Sequence, residues 1–246
     1  TPMGVTAENL ATKYHISRWQ CDEFAIRSQE KWAAAQKAGL FQHEMAPVEI
    51  KSKKGTTTVI DTDEHPRATT VEKIGKLSPV FKKDGGVVTA ANASGICDGA
   101  GTIILASEQA VQKYNLKPLA RLVSYAVTGC DPTIMGIGPV DAIKLALHRA
   151  GDLDLLKDVD RLEINEAFAA QVLACCKELQ FGDDHFEKLN SHGGAIALGH
   201  PLGASGSRIV AHLANEFVYA PASSKIHVGA ACIGGGQGIA VVLERV

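Results

Sequence analysis

One glycine-rich stretch, between residues 192 and 208, constrains the fold more than any other part of the sequence. Its letters are HGGAIALGHPLGASGSR, so five glycines interrupt an apolar segment and His200 stands directly before a proline. Downstream, Ile209, Leu213 and Phe217 recur at the spacing of one helical face, which predicts a helix there. Because the first N–H groups of a helix have no partner within it, its start stabilises nearby anions. The stretch therefore predicts a tight turn that holds a histidine beside an electropositive helix start.

The second half of the chain alternates between apolar runs and amphipathic segments. We predict strands at 119–128, 159–164, 227–232 and 239–243, and helices at 139–150 and 166–179. This order is typical of an α/β fold in which a mostly parallel sheet carries helices on both faces and is closed by an antiparallel pair. A continuously apolar run at 101–107 predicts one more strand, of the fully buried type.

The first part of the chain is mainly helical in our prediction. One short helix covers 6–14, and a longer one follows Ser17, which forms a capping box with Gln20. Gly39 is placed to end that helix. The weak alternation at 45–60 predicts an exposed hairpin.

Composition excludes several classes of protein. A chain of 246 residues with 46% hydrophobic residues and a net charge of −2 can bury a sizeable core. The basic cluster at Lys51, Lys53 and Lys54 is too short for a nucleic-acid surface, and no apolar run has the length of a membrane span. The chain starts at Thr1 without a basic leader, so we expect a piece of a longer protein whose targeting segment lies elsewhere.

The cysteines and acidic residues give no metal-binding pattern. The six cysteines are scattered without ligand spacing, which favours a reducing compartment over a disulfide framework. Asp63, Glu64 and His65 are adjacent, and adjacent side chains in a loop diverge. We therefore predict no metal site.

Three candidate chemical elements follow predicted strands or lie in adjoining loops: Asn165 with Glu166, His200, and Cys232 with its glycines. In open α/β sheets ligands bind beyond the carboxyl ends of the strands, so these groups are expected to converge. Cys232 precedes a run of glycines whose N–H groups can form an oxyanion hole, and its thiol could titrate near neutral pH and act as nucleophile or acid/base. The structural alternatives stay open: a buried thiol, a histidine bound by backbone, and an asparagine that caps a helix.

Four long blocks together resemble the thiolase family. They are NASGICDGAG at 92–101, NEAFA at 165–169, GGAIALGHPLGASGSR at 193–208 and CIGGGQG at 232–238, and MGVTAEN at 3–9 agrees with them. Within the family the sequence is most similar to the mitochondrial 3-ketoacyl-CoA thiolases of fatty-acid β-oxidation, with the biosynthetic acetoacetyl-CoA thiolases a close second. The resemblance implies a thiolase-like fold, a dimer or tetramer, and the mitochondrial matrix or alternatively the cytoplasm.

The resemblance also implies an acyltransferase that cleaves 3-ketoacyl-CoA with CoA to acetyl-CoA and a shortened acyl-CoA, or runs the Claisen condensation in reverse. His200 would activate the nucleophilic cysteine and bind the thioester oxygen, and Asn165 would hold a water. Cys232 would be the acid/base thiol, and the Gly234 N–H would serve a second oxyanion site. Coenzyme A is then a co-substrate, with no permanently bound cofactor. The implied CoA contacts are Met3, Phe81, Ala90, Ser94, Ala167 and Phe168 along the pantetheine, and Arg67 and Thr69 near the nucleotide.

One departure from the family pattern is serious. A thiolase has two similar halves, and its acyl-accepting cysteine belongs to the first; none of the other five cysteines here has that residue's surroundings. By resemblance, residues 1–95 are the loop domain that covers CoA, 96–118 complete the missing half, and 119–246 are the C-terminal half. We therefore expect the isolated chain to be inactive, oligomerisation to run through the missing half, and the apolar residues 102–106 to be exposed.

Two other functions remain open. The chain could be a non-catalytic CoA-binding or interaction fragment, which would bind CoA without turnover. A ketoacyl synthase of the same fold is disfavoured, because those enzymes have a histidine at the position of Cys232.

Overall fold

The structure, a computed structural model, describes residues 1–246 apart from the side chain of residue 183. Its helices are α1 (Met3–Lys13), α2 (Arg18–Lys37), α3 (Val71–Ile74), α4 (Glu108–Tyr114), α5 (Gly138–Arg149), α6 (Ala169–Glu178), α7 (Ala195–Leu198) and α8 (Ser205–Tyr219). Its strands are β1 (Val48–Lys51), β2 (Thr57–Ile60), β3 (Ala120–Gly129), β4 (Arg161–Ile164), β5 (Ile226–Ile233) and β6 (Gln237–Arg245). Short 3₁₀ helices cover Pro132–Ile137 and Asp183–Lys188. None of the helices described is both long and apolar enough to cross a bilayer.

The main sheet has the strand order β3-β6-β5-β4. β4 pairs parallel with β5, whereas β6 runs antiparallel to both β5 and β3. Three of the four strands therefore share one direction, and the closing antiparallel pair is confirmed. The sequence did not indicate that β6 lies inside the sheet. Because a tight turn folds β6 back onto β5, and β3 then pairs with its far edge, two of the three neighbouring pairs are antiparallel.

Helices cover both faces of this sheet, as predicted. On β6, Val242 is buried in the large core that α5 and α6 share, whereas the next residue, Leu243, is buried against α8. Successive side chains of a strand point to opposite faces, so α5 and α8 lie on opposite sides. The face of α8 that packs there contains Ile209, Leu213 and Phe217, the residues whose spacing predicted the helix.

The N-terminal region also follows its local sequence signals. The Ser17 hydroxyl accepts a hydrogen bond from the Gln20 N–H while the Gln20 side chain accepts one from the Ser17 N–H, so the capping box is confirmed. Gly39 has a φ of +72°, a value that favours glycine after a helix end. β1 and β2 form the predicted hairpin, and their residues are exposed.

The predicted strand at 101–107 is wrong. The segment has no regular secondary structure, and Ile104 and Leu105 are 86% and 73% exposed. Among the described residues no strand lies beside it, so its N–H and C=O groups have no strand with which to form hydrogen bonds. The expectation that residues 102–106 are exposed, which followed from the family resemblance, is confirmed.

Candidate active site

The candidate site lies where β4 and β5 end side by side. Ile164, the last residue of β4, is in register with Ala230 of β5, and the Asn165 N–H donates to the Ala230 carbonyl at 2.9 Å. Cys232 follows two residues later on β5, about 7 Å along the strand. The carboxyl ends of two neighbouring parallel strands therefore carry Asn165 and Cys232.

The turn that carries His200 is fixed by a segment from elsewhere in the chain. The His200 N–H donates to the Gly95 carbonyl at 2.8 Å, and Ile96 pairs with His200 in an isolated parallel bridge. Gly199 has a φ of +89°, and a Cβ atom there would lie 2.5 Å from the Cys97 sulfur. Only glycine fits both the backbone angle and the space. The position of the imidazole is thus determined by close packing against residues 95–97.

Hydrogen bonds define the tautomer of His200. Its Nδ1 lies 2.6 Å from the Ser205 Oγ, and that hydroxyl donates to the Pro201 carbonyl at 3.2 Å. Since the hydroxyl hydrogen is used there, Ser205 accepts a hydrogen bond from Nδ1–H, and Nε2 keeps its lone pair. Burial, and to a smaller extent the charge of Arg208, lower the pKa of His200. The ring is therefore neutral near pH 7, with Nε2 ready to accept a proton.

Asn165 contacts that nitrogen. Its Nδ2 lies 3.5 Å from His200 Nε2, and the residue is 1% exposed. Its Oδ1 is buried without a hydrogen-bond partner among the described residues. A buried amide oxygen normally binds a polar group or an ordered water. The helix-capping interpretation fails, because α6 begins at Ala169 with Phe168 as its N-cap residue.

The Cys232 thiol differs from the sequence-based expectation. Burial raises the pKa of the Cys232 thiol to about 12. The thiol therefore keeps its proton near neutral pH, whereas the sequence analysis considered titration in that range. A thiol that keeps its proton at pH 7 is a proton donor rather than a nucleophile. It can accept a proton only after it has given one away.

Glycines shape the turn that follows Cys232. Gly236 has a φ of +87°, and a Cβ atom there would lie 2.4 Å from the Cys130 carbonyl oxygen. At Gly234, by contrast, a Cβ atom would meet nothing within 4 Å. The backbone at Gly234 is therefore open to a close approach by a ligand, which suits an N–H donor.

Five of the residues implied as CoA contacts form one continuous wall. Ser94 donates to the Ala167 carbonyl through both its N–H and its hydroxyl, each at 3.0 Å. The Phe81 ring meets the Phe168 ring edge-on, with centroids 6.4 Å apart. The same Phe81 ring lies so close to Gly4 that a Cβ atom there would be 2.1 Å from it, which places Met3 beside the wall.

The other three residues implied as CoA contacts, Arg67, Thr69 and Ala90, line a cavity of about 250 Å³. The Arg67 guanidinium donates to the carbonyls of residues 64, 65 and 66, so it is held against its own loop. The Arg67 N–H donates to the Gln29 side chain at 2.9 Å. A fixed cation at a cavity rim suits an anionic group of a ligand.

Comparison with known proteins gives the family. The profile of the N-terminal domain of thiolase matches residues 1–109, and that of the C-terminal domain matches residues 116–245. The chain belongs to the thiolase family. It is 59% identical to the mitochondrial 3-ketoacyl-CoA thiolase of Homo sapiens, over 99% of this chain and 59% of that protein. It is 50% identical to an acetyl-CoA acetyltransferase of Chromobacterium violaceum, over 99% of this chain and 60% of that protein.

Solved thiolases have the same fold. The crystal structure of human mitochondrial 3-ketoacyl-CoA thiolase matches with a TM-score of 0.93 at 58% identity, covering 100% of this chain and 60% of that one. The same human enzyme in complex with CoA matches with a TM-score of 0.92 at 57% identity, covering 100% and 59%. The chain thus spans about three fifths of the length of these thiolases.

The sequence analysis missed Ser205, and it named Glu166 as a candidate without its role. Ser205 lies in a quoted motif, five residues after His200, but only the structure shows that its hydroxyl orients the ring. Glu166 lies in the motif NEAFA, and its buried carboxylate accepts hydrogen bonds from the Ser28 hydroxyl, the Asn190 amide and the Ile196 N–H at 2.7, 2.8 and 3.1 Å. Its partners are far away in sequence, so no local pattern could have identified them.

Proposed function

We propose that this chain supplies the acid–base part of a thiolase that cleaves 3-ketoacyl-CoA with CoA to acetyl-CoA and a shortened acyl-CoA, as in fatty-acid β-oxidation. One observation carries the proposal. Asn165, at the end of β4, contacts Nε2 of the neutral His200, and the protonated thiol of Cys232 lies on the neighbouring strand β5, next to an open glycine turn. Thiolysis needs both a base for a thiol nucleophile and an acid for the departing carbon.

His200 is the base in the first step. Its Nε2 removes the proton from the nucleophilic thiol, whose sulfur attacks the 3-keto carbon of the substrate. Asn165 and the imidazolium then donate to the oxygen that becomes negative at the thioester. The Asn165 Oδ1, buried and unpaired among the described residues, supports a bound water in this role.

Cys232 is the acid in that step. When the bond between C2 and C3 of the substrate breaks, the carbon of the leaving acetyl-CoA carries the electron pair and takes the thiol proton. The thiolate formed then removes the proton from incoming CoA, whose sulfur attacks the acyl-enzyme. The thioester bond to the nucleophilic cysteine breaks, and that cysteine recovers its proton from the His200 imidazolium. The Gly234 N–H donates to the oxyanion of this second half-reaction.

The acyl-accepting cysteine lies outside this chain in our proposal. Burial is the main cause that raises the pKa of the other five thiols, Cys21, Cys97, Cys130, Cys175 and Cys176. A nucleophilic cysteine needs the opposite shift. The His200 base would therefore serve a thiol contributed by the part of thiolase that this chain does not span.

Coenzyme A is the co-substrate in this proposal. Its pantetheine would lie along Ser94, Ala167, Phe168, Phe81 and Met3. Its nucleotide end would lie at the cavity with Arg67, Thr69 and Ala90. Residues 1–95 would be the loop domain that covers CoA, residues 96–118 would complete the other half, and residues 119–246 would be the C-terminal half.

Three finer assignments rest on the family and its relatives alone. The thiolases named mitochondrial from Homo sapiens, Bos taurus and Mus musculus support a mitochondrial location, with the matrix as the compartment and the cytoplasm as the alternative. The acetyl-CoA acetyltransferase relative supports acetoacetyl-CoA as the alternative substrate. The family's dimer or tetramer is the expected assembly.

The test uses the purified 246-residue chain, alone and mixed with a thiolase N-terminal half that carries a nucleophilic cysteine. CoA-dependent loss of the 3-ketoacyl thioester is followed with acetoacetyl-CoA and a medium-chain substrate. We expect no turnover by the chain alone, and turnover in the mixture that His200→Asn abolishes. Turnover by the chain alone, with an acyl group on one of its own cysteines, would overturn the proposal. CoA binding without turnover in the mixture would instead favour a non-catalytic module.

A further inference from the structure

A second cluster of titratable side chains lies beside α8, and the proposed reaction does not use it. His212 and Glu216 are one turn apart on α8, and His192 comes from the loop before α7. Each offers one ligand atom, and the three atoms lie within 4.8 Å of one another. His212 and Glu216 are only 3% and 2% exposed. We call these three residues the α8 cluster.

The two imidazoles face each other through nitrogen atoms. His192 Nδ1 lies 3.0 Å from His212 Nε2. Two lone pairs at that distance repel unless a proton or a cation lies between them. Two Zn–N bonds of about 2.05 Å at a tetrahedral angle place their nitrogens about 3.3 Å apart. A shift of a few tenths of an ångström would therefore bring the two nitrogens to the spacing of two ligands on one metal ion.

The other nitrogen of His212 has the partner that metal-bound histidines usually have. His212 Nδ1 lies 2.8 Å from a carboxylate oxygen of Glu44. In metal sites the remote ring nitrogen commonly donates to a carboxylate, which fixes the tautomer and makes the metal-facing nitrogen more basic. Glu44 therefore holds the His212 ring with Nε2 directed at His192.

The charges around the α8 cluster favour a cation. Glu44, Glu163 and Glu216 bring three formal negative charges, whereas their partners Arg161 and Arg208 bring two positive ones. The third carboxylate, that of Glu44, faces the His212 imidazole, so either a proton on that ring or a cation beside it compensates the remaining negative charge.

Two polar atoms at the α8 cluster have no hydrogen-bond partner among the described residues. Arg161 binds Glu216 through one carboxylate oxygen, Oε1, and the other is in no hydrogen bond among the described residues. Tyr219 lies on the same face of α8, with its ring centroid 6.0 Å from that of His192. Its hydroxyl is buried and has no partner among the described residues, so it can accept the hydrogen of a metal-bound water.

We propose that His192, His212 and Glu216 bind one divalent transition-metal ion, with Zn²⁺ the best match to two imidazoles and a carboxylate. Glu44 orients His212, and a water completes the tetrahedron. The ion ties the glycine-rich loop, which carries His200 eight residues later, to α8. The sequence analysis predicted no metal site here, because His192 and His212 are far apart in sequence and only His212 and Glu216 have helical spacing.

The test is a titration of the metal-free chain with Co²⁺, which has the coordination preferences of Zn²⁺ and a visible spectrum, followed by competition with Zn²⁺. We expect one Co²⁺ per chain with the visible bands of a tetrahedral nitrogen–oxygen site. His192→Asn should remove this binding, and Glu44→Gln should weaken it by about 10–100-fold. The matched control is His148→Asn, which changes an exposed histidine on α5.

Three results would overturn the proposal. They are no bound metal, equal binding by the His192→Asn variant, and cobalt–thiolate charge-transfer bands that assign the metal to cysteines. Circular dichroism and the unfolding temperature of each variant show whether a loss of binding comes from a loss of folding. His192 is the primary target because it is more exposed than His212.

Discussion

At the scale of single residues, the site depends on how one imidazole is held. Ser205 accepts from Nδ1–H of His200, Asn165 contacts its Nε2, and burial keeps the ring neutral. Each contact comes from a different element, α8 for Ser205 and the end of β4 for Asn165. The sequence placed His200 in a rigid glycine turn, but it could not show which ring nitrogen carries the proton.

Ser205→Ala should therefore reduce the turnover of the assembled thiolase. Without its acceptor, Nδ1–H loses the interaction that selects this tautomer, and Nε2 is less often available as a base. General base catalysis is worth about 10²–10⁴-fold in rate, and we expect a loss of at least about tenfold in kcat with KM nearly unchanged. Ser205→Thr keeps a hydroxyl and is the control. A rise in KM with kcat unchanged would contradict the assigned role.

Gly199→Ala should destabilise the chain and misplace His200. The new Cβ atom would meet the Cys97 sulfur, and the residue would have to hold a φ of +89°. Strain of this kind costs about 1–3 kcal/mol. Gly203→Ala is the matched control in the same stretch, because a Cβ atom there meets nothing within 4 Å. Urea unfolding of both variants measures the difference, and equal stability would show that the turn is not strained.

At the scale of elements, a buried carboxylate joins four segments. Glu166 follows β4, and it accepts hydrogen bonds from Ser28 of α2, Asn190 of the preceding loop and Ile196 of α7. A Cβ atom at Gly194 would lie 2.3 Å from the carboxyl carbon, so glycine is required there. The carboxylate therefore aligns the loop that leads to His200 with the edge of the sheet.

Glu166→Gln should loosen this loop. The carboxylate accepts three hydrogen bonds, whereas a glutamine places an NH₂ group against one of the donors and leaves a buried group unpaired. An unpaired buried donor costs about 1–3 kcal/mol. Hydrogen–deuterium exchange at the Ile196 amide should be faster in this variant, with Glu23→Gln on the exposed side of α2 as control. Unchanged exchange at Ile196 would show that the loop is held by other contacts.

Sequence predicts elements well where the signal is local. The α2 cap depends on two residues three positions apart, and α8 on one periodic face, and both predictions are confirmed. The start of α6 was predicted three residues too early, because residues before Ala169 bind the segment around Ser94 instead of forming a helical turn. Distant partners of this kind, like those of Glu166, leave no trace in a local pattern.

At the scale of the whole molecule, one core joins the N-terminal helices to the sheet, whereas the apolar segment 103–105 remains outside that core. The core includes Leu10 of α1, Phe24 of α2 and Val242 of β6. Ile104 and Leu105 lie outside it. The run at 101–107 has the apolar sequence of a buried strand. A strand also needs a neighbouring strand to pair with, and a local apolar pattern does not show whether one is present.

Ile104→Lys should reduce self-association of the isolated chain. Exposed apolar side chains next to unpaired backbone groups promote contacts between copies. We expect the parent chain to form larger species as its concentration rises and the variant to remain smaller, measured by size-exclusion chromatography with light scattering. Lys113→Ala on the exposed side of α4 is the control. Identical behaviour of parent and variant would assign the association to another surface.

The bridge between Ile96 and His200 has a consequence for how the chain folds. The two residues are about a hundred positions apart, and contacts between distant residues form late because closing long loops is entropically slow. The β5–β6 hairpin and the capped helices can form early from local interactions. The histidine base would then acquire its position only in the last steps of folding, so an incompletely folded chain carries no competent site.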